Sequence, residues 1–310
     1  MPKSFYFTPS YFCTSDCLMC GVAKYKRDQR WGYGVAEARA EVDAMALDPG
    51  DVLEISGGEP TAYKHLADIA TYAKQEYGAR VLVLSHGRHL KIRRLAERLA
   101  HSGIERFVVP VFSHVAETHD ALTQVRGSLA ETFTGLDNLA DLGVATTIKL
   151  IPMATNYRDL LPTFQYCQNR YPGMKYVISG YQMMGEAFTN RDLVSPRHRD
   201  VGREIEKTLD AAQALGADAS FAFVPMCVVD PVFWKEYRSG YANETVVSPD
   251  KDHVDSSTEA NYVEKPDVCA DCAVRSRCQW AWYAYSKIYG TDELTPFAAR
   301  QAHRDVVAAP

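Results

Sequence analysis

Cys13, Cys17 and Cys20 lie within eight residues, spaced C-x3-C-x2-C, directly after an apolar run. Thiolates are soft ligands that select zinc, copper(I) or iron–sulfur clusters. Three of them on one short loop can hold three irons of a cubane and leave the fourth open to bind a substrate or cofactor. The alternative is a single zinc ion, which would want a fourth ligand close by; the first histidine is only at His65. A disulfide framework is disfavoured because the chain opens Met-Pro-Lys-Ser, with no apolar signal segment. Free thiols then indicate a reducing cytoplasm.

A second strand-like run, 51–55, ends in Ser56-Gly57-Gly58-Glu59-Pro60. Glycines let backbone approach a ligand closely, and a carboxylate beside them can hold an ammonium group. Cys13, Cys17 and Cys20 followed by Gly57-Gly58-Glu59 resemble the radical S-adenosylmethionine (SAM) superfamily. That resemblance implies a [4Fe–4S] cluster whose unique iron chelates SAM, reductive formation of a 5′-deoxyadenosyl radical, and hydrogen-atom abstraction from substrate. It also implies an external electron donor such as flavodoxin or ferredoxin. Ser56, Gly57, Gly58, Glu59, Ser85 and Ser113 fall where relatives contact the cofactor. His86, in Ser85-His86-Gly87, departs from the asparagine usual at that turn. Met19 replaces the usual aromatic against the adenine.

The elements that must carry these residues read as parallel βα units: strand-like runs at 4–12, 51–56, 80–85, 106–112, 145–153 and 175–183 alternate with helical periodicity at 35–47, 63–77, 90–101, 128–142 and 157–171. This is an α/β pattern matching the open (β/α)6 partial barrel of the radical SAM family. It places ligands at the carboxyl ends of the strands. Lys149 lies mid-strand and, by alternation, either points into the barrel or snorkels outward. Tyr181, Gln182, Met183, Met184 and Glu186, after the sixth strand, are candidates for substrate contact. Ser128 with Glu131 reads as a helix capping box.

We expect a division near residue 195, giving a barrel over 1–195 and a smaller unit over 196–310. The latter holds a helix at 199–215, a short run at 219–224 ending in Pro225-Met226-Cys227, and Cys269, Cys272 and Cys278 spaced C-x2-C-x5-C before a possible helix at 279–289. Thiolates so spaced can supply folding energy to a weakly cored segment by holding a metal. The arrangement resembles the twitch or shortened SPASM extension of radical SAM enzymes, which implies one auxiliary [4Fe–4S] cluster. Zinc is the alternative. Cys227 is then either its fourth ligand or a free thiol that returns a hydrogen atom to a substrate radical. Cys167, among Phe164, Tyr166 and Tyr171, reads as core. Trp280, Trp282, Tyr283, Tyr285 and Tyr289 read as packing surface.

The net charge of −5 gives no argument for nucleic acid, and no apolar stretch approaches the roughly 20 residues needed to span a bilayer. The chain leaves no room before Cys13 for a peptide-recognition domain. We therefore expect a small-molecule substrate, an aminoglycoside-type sugar or similar polar metabolite, oxidised or epimerised. A maturase of ribosomal peptides and an iron–sulfur electron-transfer scaffold are the alternatives.

Overall fold

The computed structural model describes residues 2–23, 32–181, 183–238, 244–247, 265–278 and 283–298. Its centre is an open parallel sheet. Strands β1 (Ser4–Ser10), β2 (Val52–Gly57), β3 (Arg80–Leu84), β4 (Ile104–Pro110), β5 (Thr146–Leu150) and β6 (Lys175–Ser179) lie side by side in chain order. β7 (Ala219–Ala222) adds beyond β6, and β8 (Glu244–Val247) adds beside β1. Every pairing is parallel, and among the described residues no ladder joins β7 to β8, so the barrel is partial.

The expected strands thus gain two companions. The sheet runs past residue 195, because helix α9 (His198–Ala214) packs against α6 (Leu160–Arg170) and feeds β7 into it. Several strands also stop short of the apolar runs that announced them. Ile151, Met153, Tyr181 and Met183 continue those runs but pack in a second apolar cluster above the sheet. Apolarity reports burial, and the ladder is only one way to be buried.

Alternation sorts the two faces of the sheet. Phe7, Leu53, Val83, Phe107, Ile148 and Ile178 point outward into one core with the helices α1 (Val35–Ala44), α2 (Leu66–Tyr77), α3 (Arg93–Ala100), α5 (Ser128–Asp141), α6 and α9. Burial of each such side chain contributes about 1.5–3 kcal/mol. The alternate residues Tyr6, Glu54, Leu82, Arg106, Thr147 and Lys149 are half-buried on the opposite, concave face. Cys167 is fully buried in the outer core, where burial pushes its thiol up to about 12, as a structural cysteine should be.

The expected capping box is absent. Gly127 occupies the cap of α5 and Ser128 is its first residue. Asp120, on α4 (Ala116–Thr123), caps the helix from outside. Its carboxylate accepts from Gly127 N (2.5 Å), Ser128 Oγ (2.8 Å) and Leu129 N (3.0 Å). Glu131 is thereby left to pair with Arg88 and Lys91. The last helix, α10 (Tyr283–Tyr289), starts later than expected; Trp280 and Trp282 lie outside the described residues, as does Gln182. Tyr285 behaves as packing: its ring lies 3.9 Å from that of His198 and 4.8 Å from that of Tyr289.

His119 and His198 are buried, and burial depresses them to about 4 and about 3. The unfolded chain, with histidines near 6.5, binds more protons below that value, so stability falls as pH drops from about 6.5 towards 4. For His119 the loss at pH 5 is of order 2 kcal/mol. Thermal melts should show a lower Tm at pH 5 than at pH 7. His119→Gln, which keeps an acceptor for Phe112 N, should shrink that difference.

Candidate active site

The three N-terminal cysteines sit on the loop that leaves β1, and the protein holds this loop through its backbone. Asp16 N donates to Thr123 O (3.2 Å) and Leu18 N to Leu122 O (2.9 Å). Glu186 N, at the start of α7 (Glu186–Thr189), donates to Cys20 O (2.9 Å), and Asn190 Nδ2 donates to Leu18 O (2.9 Å). Arg88 Nη1 reaches Thr14 O (3.1 Å) and Ser15 Oγ (2.8 Å). Gly185 has φ +54°, and a Cβ there would lie 2.7 Å from Cys20 O, so only glycine lets the β6 loop approach so closely.

The strand end Gly57–Glu59 locks onto the same loop. Gly58 N donates to Ser10 O (3.0 Å) and Glu59 N to Phe12 O (2.7 Å). Gly57 adopts φ +107°, and a Cβ on Gly58 would stand 2.3 Å from the carbonyl oxygens of Tyr11 and Phe12. These glycines exist to let two backbones touch.

The Glu59 carboxylate is tied into both strand ends. It is fully buried and heavily engaged: Oε1 accepts from Thr61 N (2.9 Å), Thr61 Oγ1 (2.5 Å) and Ser85 Oγ (2.6 Å), and Oε2 from His86 N (2.8 Å). Burial works against its charge, but His86, Ser85 and Thr61 outweigh this and hold the carboxyl below the ordinary range. The other side chains singled out for a cofactor are also engaged: Ser56 Oγ accepts from Tyr6 OH (2.6 Å), and buried Ser113 Oγ donates to Asp159 (3.2 Å) and accepts from Val115 N (3.0 Å). What the strand end presents is backbone.

His86 and a residue the sequence reading passed over, His89, complete a ring around Thr14 of the cysteine loop. Thr14 Oγ1 lies 3.3 Å from His86 Nε2 and 2.9 Å from His89 Nε2, and His89 Nδ1 lies 3.2 Å from Thr61 Oγ1. Burial lowers both imidazoles. Glu59, His86 and His89 are close enough to share one ion, and the same carboxylate accepts hydrogen bonds from Thr61, Ser85 and His86. The ring is a clamp joining the ends of β1, β2 and β3.

Cys227, Cys269, Cys272 and Cys278 line one recess together with Pro225, Leu294 and Thr295. Amide donors point at its sulfurs: Met226 N to Cys278 Sγ and Phe297 N to Cys272 Sγ, both 3.4 Å, and the Thr295 backbone to Cys227. Burial pushes Cys278 up to about 12 and raises Cys227. The segment carrying Leu294–Phe297 is anchored on the barrel by buried Glu293, which accepts from Tyr285 OH (2.5 Å) and Arg199 N (2.9 Å) and pairs with Arg197 (2.9 Å).

A zinc ion with bonds of about 2.3 Å would draw its sulfurs to within about 4 Å of each other. Among the described residues neither cysteine group brings three sulfurs within 4.8 Å of one another. The wider spacing suits a polynuclear cluster, whose ligands attach to separate irons. Between the two groups lies the second apolar cluster, with Leu18, Met19 and Met184 on one side and Tyr285, Leu294, Cys227 and Cys269 on the other. Tyr181 is buried in it, and Glu186 is half-buried beside Cys20.

On the concave face, Lys149 does point into the barrel. Burial raises the Glu54 carboxyl there, opposed by the charge of Lys149. Arg106 lies on the same face, with Nη1 3.4 Å from Thr147 Oγ1. The alternation that flagged Lys149 would also have flagged Glu54 and Arg106, had it been applied to every strand.

The sequence pattern describing the radical SAM superfamily matches residues 7–167. Fe-coproporphyrin III synthase of Methanosarcina barkeri is 25% identical over 182 residues, covering 58% of this chain and 45% of that protein. An AdoMet-dependent heme synthase of the same organism is 26% identical over 153 residues, covering 49% and 43%. The chain thus spans less than half the length of these relatives. The structure of Streptococcus suis SuiB bound to its precursor peptide SuiA superposes with a TM-score of 0.58 at 18% identity, over 71% of this chain and 48% of that one. These relatives give no support to the expected aminoglycoside-type sugar.

Glu59→Gln would place an amide N–H against donors in a buried site, at a cost of about 1–3 kcal/mol for each group left unsatisfied. We expect it to lower Tm and to reduce the iron held by Cys13, Cys17 and Cys20 after anaerobic reconstitution. Full iron content at unchanged Tm would refute the clamp. Its loop, its glycine strand end and its partial barrel make this chain a member of the radical SAM superfamily.

Proposed function

We propose that this chain is a radical SAM enzyme that oxidises a small, acidic metabolite, with a second iron–sulfur cluster in its C-terminal segment, the unit expected over 196–310. Cys13, Cys17 and Cys20 hold the SAM-binding [4Fe–4S] cluster, and the Gly57–Glu59 backbone faces the SAM amine. When bound, that pair supplies a 5′-deoxyadenosyl radical able to remove a hydrogen atom from a substrate carbon. The chain's own residues do the rest. The clamp around Thr14 fixes the loop, and the Met19, Met153, Met183 and Tyr285 cluster excludes water from the space between the cysteine groups. Arg106 and Lys149 orient an anionic group of the substrate from below, while Tyr181 and Glu186 border it from the β6 side.

The observation that carries this reading is the single recess lined by Cys227, Cys269, Cys272 and Cys278. Four thiols on one recess, three of them approached by backbone amides, favour Cys227 as a cluster ligand over Cys227 as a hydrogen donor. A second cluster there would accept the electron released when a substrate radical becomes a closed-shell product, so oxidation is favoured over epimerisation. Modification of a ribosomal peptide is the second reading. It rests on the SuiB likeness, which at this identity speaks for the fold. Heme biosynthesis enters on the names of the relatives, and coproporphyrin III is an acidic compound of the proposed class.

Anaerobic incubation with SAM and dithionite should yield 5′-deoxyadenosine, and failure to bind SAM at all would favour an electron-transfer scaffold. Cys227→Ala should lower the reconstituted iron from about eight to about four per chain; retention of about eight with product stalled at a radical or unquenched stage would favour the donor role. Once a substrate is in hand, Arg106→Gln should raise KM at least tenfold, about 1.4 kcal/mol, with Arg106→Lys recovering part of it. An unchanged KM would remove the anion from the reading.

A further inference from the structure

Glu54 stands apart from the other deep acids of the barrel. Glu59 and Glu293 are buried among donors that satisfy them. Glu54 lies half-buried on the concave face, and among the described residues no hydrogen bond or ion pair reaches its carboxyl; burial governs its charge, opposed by the charge of Lys149. A carboxylate placed so deep without a donor is costly as an ion.

The strand register fixes its company. Tyr6 pairs with Glu54, Glu54 with Leu82 and Leu82 with Arg106, so these four form one row across β1 to β4. Glu54 and Arg106 stand two strands apart, about 10 Å between backbones. They do not close on each other: Arg106 Nη1 reaches Thr147 Oγ1 on the far side (3.4 Å), and Tyr6 OH donates to Ser56 (2.6 Å). Lys149 stands in a higher row, level with Pro110 and, on β6, with Val177. Lys175, lower on β6, pairs with Asp218 at the exposed rim. Among the described residues, the groups on this face that can carry charge towards Glu54 are therefore Tyr6, Arg106 and Lys149.

We propose that Glu54 binds the acidic group of the substrate as a protonated carboxyl, donating one hydrogen bond to it while Arg106 and Lys149 supply the opposite charge, so that each anion enters the barrel with one proton. The inference rests on the reading that this face takes an anionic group, and it adds the residue that makes binding select for an acid. An anion held by Lys149 lies in the field that Glu54 already feels, and two carboxylates sharing one site do not both stay ionised. The balance is simple: the substrate carboxylate, the Glu54 carboxylate and one proton from solvent give a carboxylate hydrogen-bonded to a carboxylic acid. No bond to carbon changes. Burial raises the Glu54 carboxyl above the ordinary range even before an anion arrives, which brings this protonation towards neutral pH. The sign follows from linkage: the complex holds more protons than its separate parts, so affinity falls as pH rises.

The test uses the full chain, reconstituted and loaded with SAM but without reductant, so that nothing turns over. Succinate is the probe, since its carboxyls are ionised throughout pH 7–8.5. Calorimetry at pH 7 in two buffers of different ionisation enthalpy should show uptake of about one proton per succinate, and Kd should rise about tenfold from pH 7 to pH 8. Glu54→Gln, which keeps a donor at the same place, should bind succinate with a Kd independent of pH and with no proton uptake. Wild-type binding without uptake, or uptake that persists in Glu54→Gln, would overturn the proposal; the first of these needs no variant to fold. Arg106→Gln should weaken succinate at least tenfold, which locates the probe on this face. Absence of succinate binding to the wild type, or binding that Arg106→Gln leaves intact, would instead sink the anion-binding reading, and the part assigned to Glu54 with it.

Discussion

Three thiolates on eight residues are useful only if the loop bearing them cannot move, and this loop has no regular structure of its own. Its rigidity is borrowed. Backbone hydrogen bonds reach it from α4, from the start of α7 and from the end of β2, while Arg88 and the Thr14 ring secure its exposed side. The partners come from the segments after β2, β3, β4 and β6, so the loop is fixed only when these strands are assembled. The fold thus orients the candidate cluster ligands through the backbone that carries them.

Glu59 shows how this constraint shapes the choice of residue. A buried carboxylate is expensive unless every oxygen is met by donors, and here four donors from the β2 and β3 loops converge on it. The charge that looks available for a ligand is what ties two strand ends together. Asp120 plays the same part for α5, joining two helices through three donors. In both cases an acidic residue near the site has a structural task.

The C-terminal segment follows a similar logic with a different anchor. Glu293, Tyr285, Arg197 and Arg199 fix the segment to α9, and the chain just beyond brings backbone from Thr295 and Phe297 to Cys227 and Cys272. The second apolar cluster then packs Met19 and Leu18 of one cysteine group and Cys227 and Cys269 of the other into one body. The two groups share a wall.

Strand and helix periods, the cysteine spacings and the glycine strand end were legible in the chain, because each is a relation among near neighbours. From them came the parallel βα order, the placement of Cys13–Cys20 at a strand end and the core assignment of Cys167, while Lys149 was left between the two faces until the register settled it. The partners of Glu59, the capping of α5 by Asp120, the recess shared by Cys227 with Cys269–Cys278, the clamp of His86 and His89 on Thr14, and the joining of β7 and β8 to the sheet were not. Each of these depends on register and curvature, which bring together residues far apart in the chain. No local pattern encodes a distance between strands that only the assembled sheet creates.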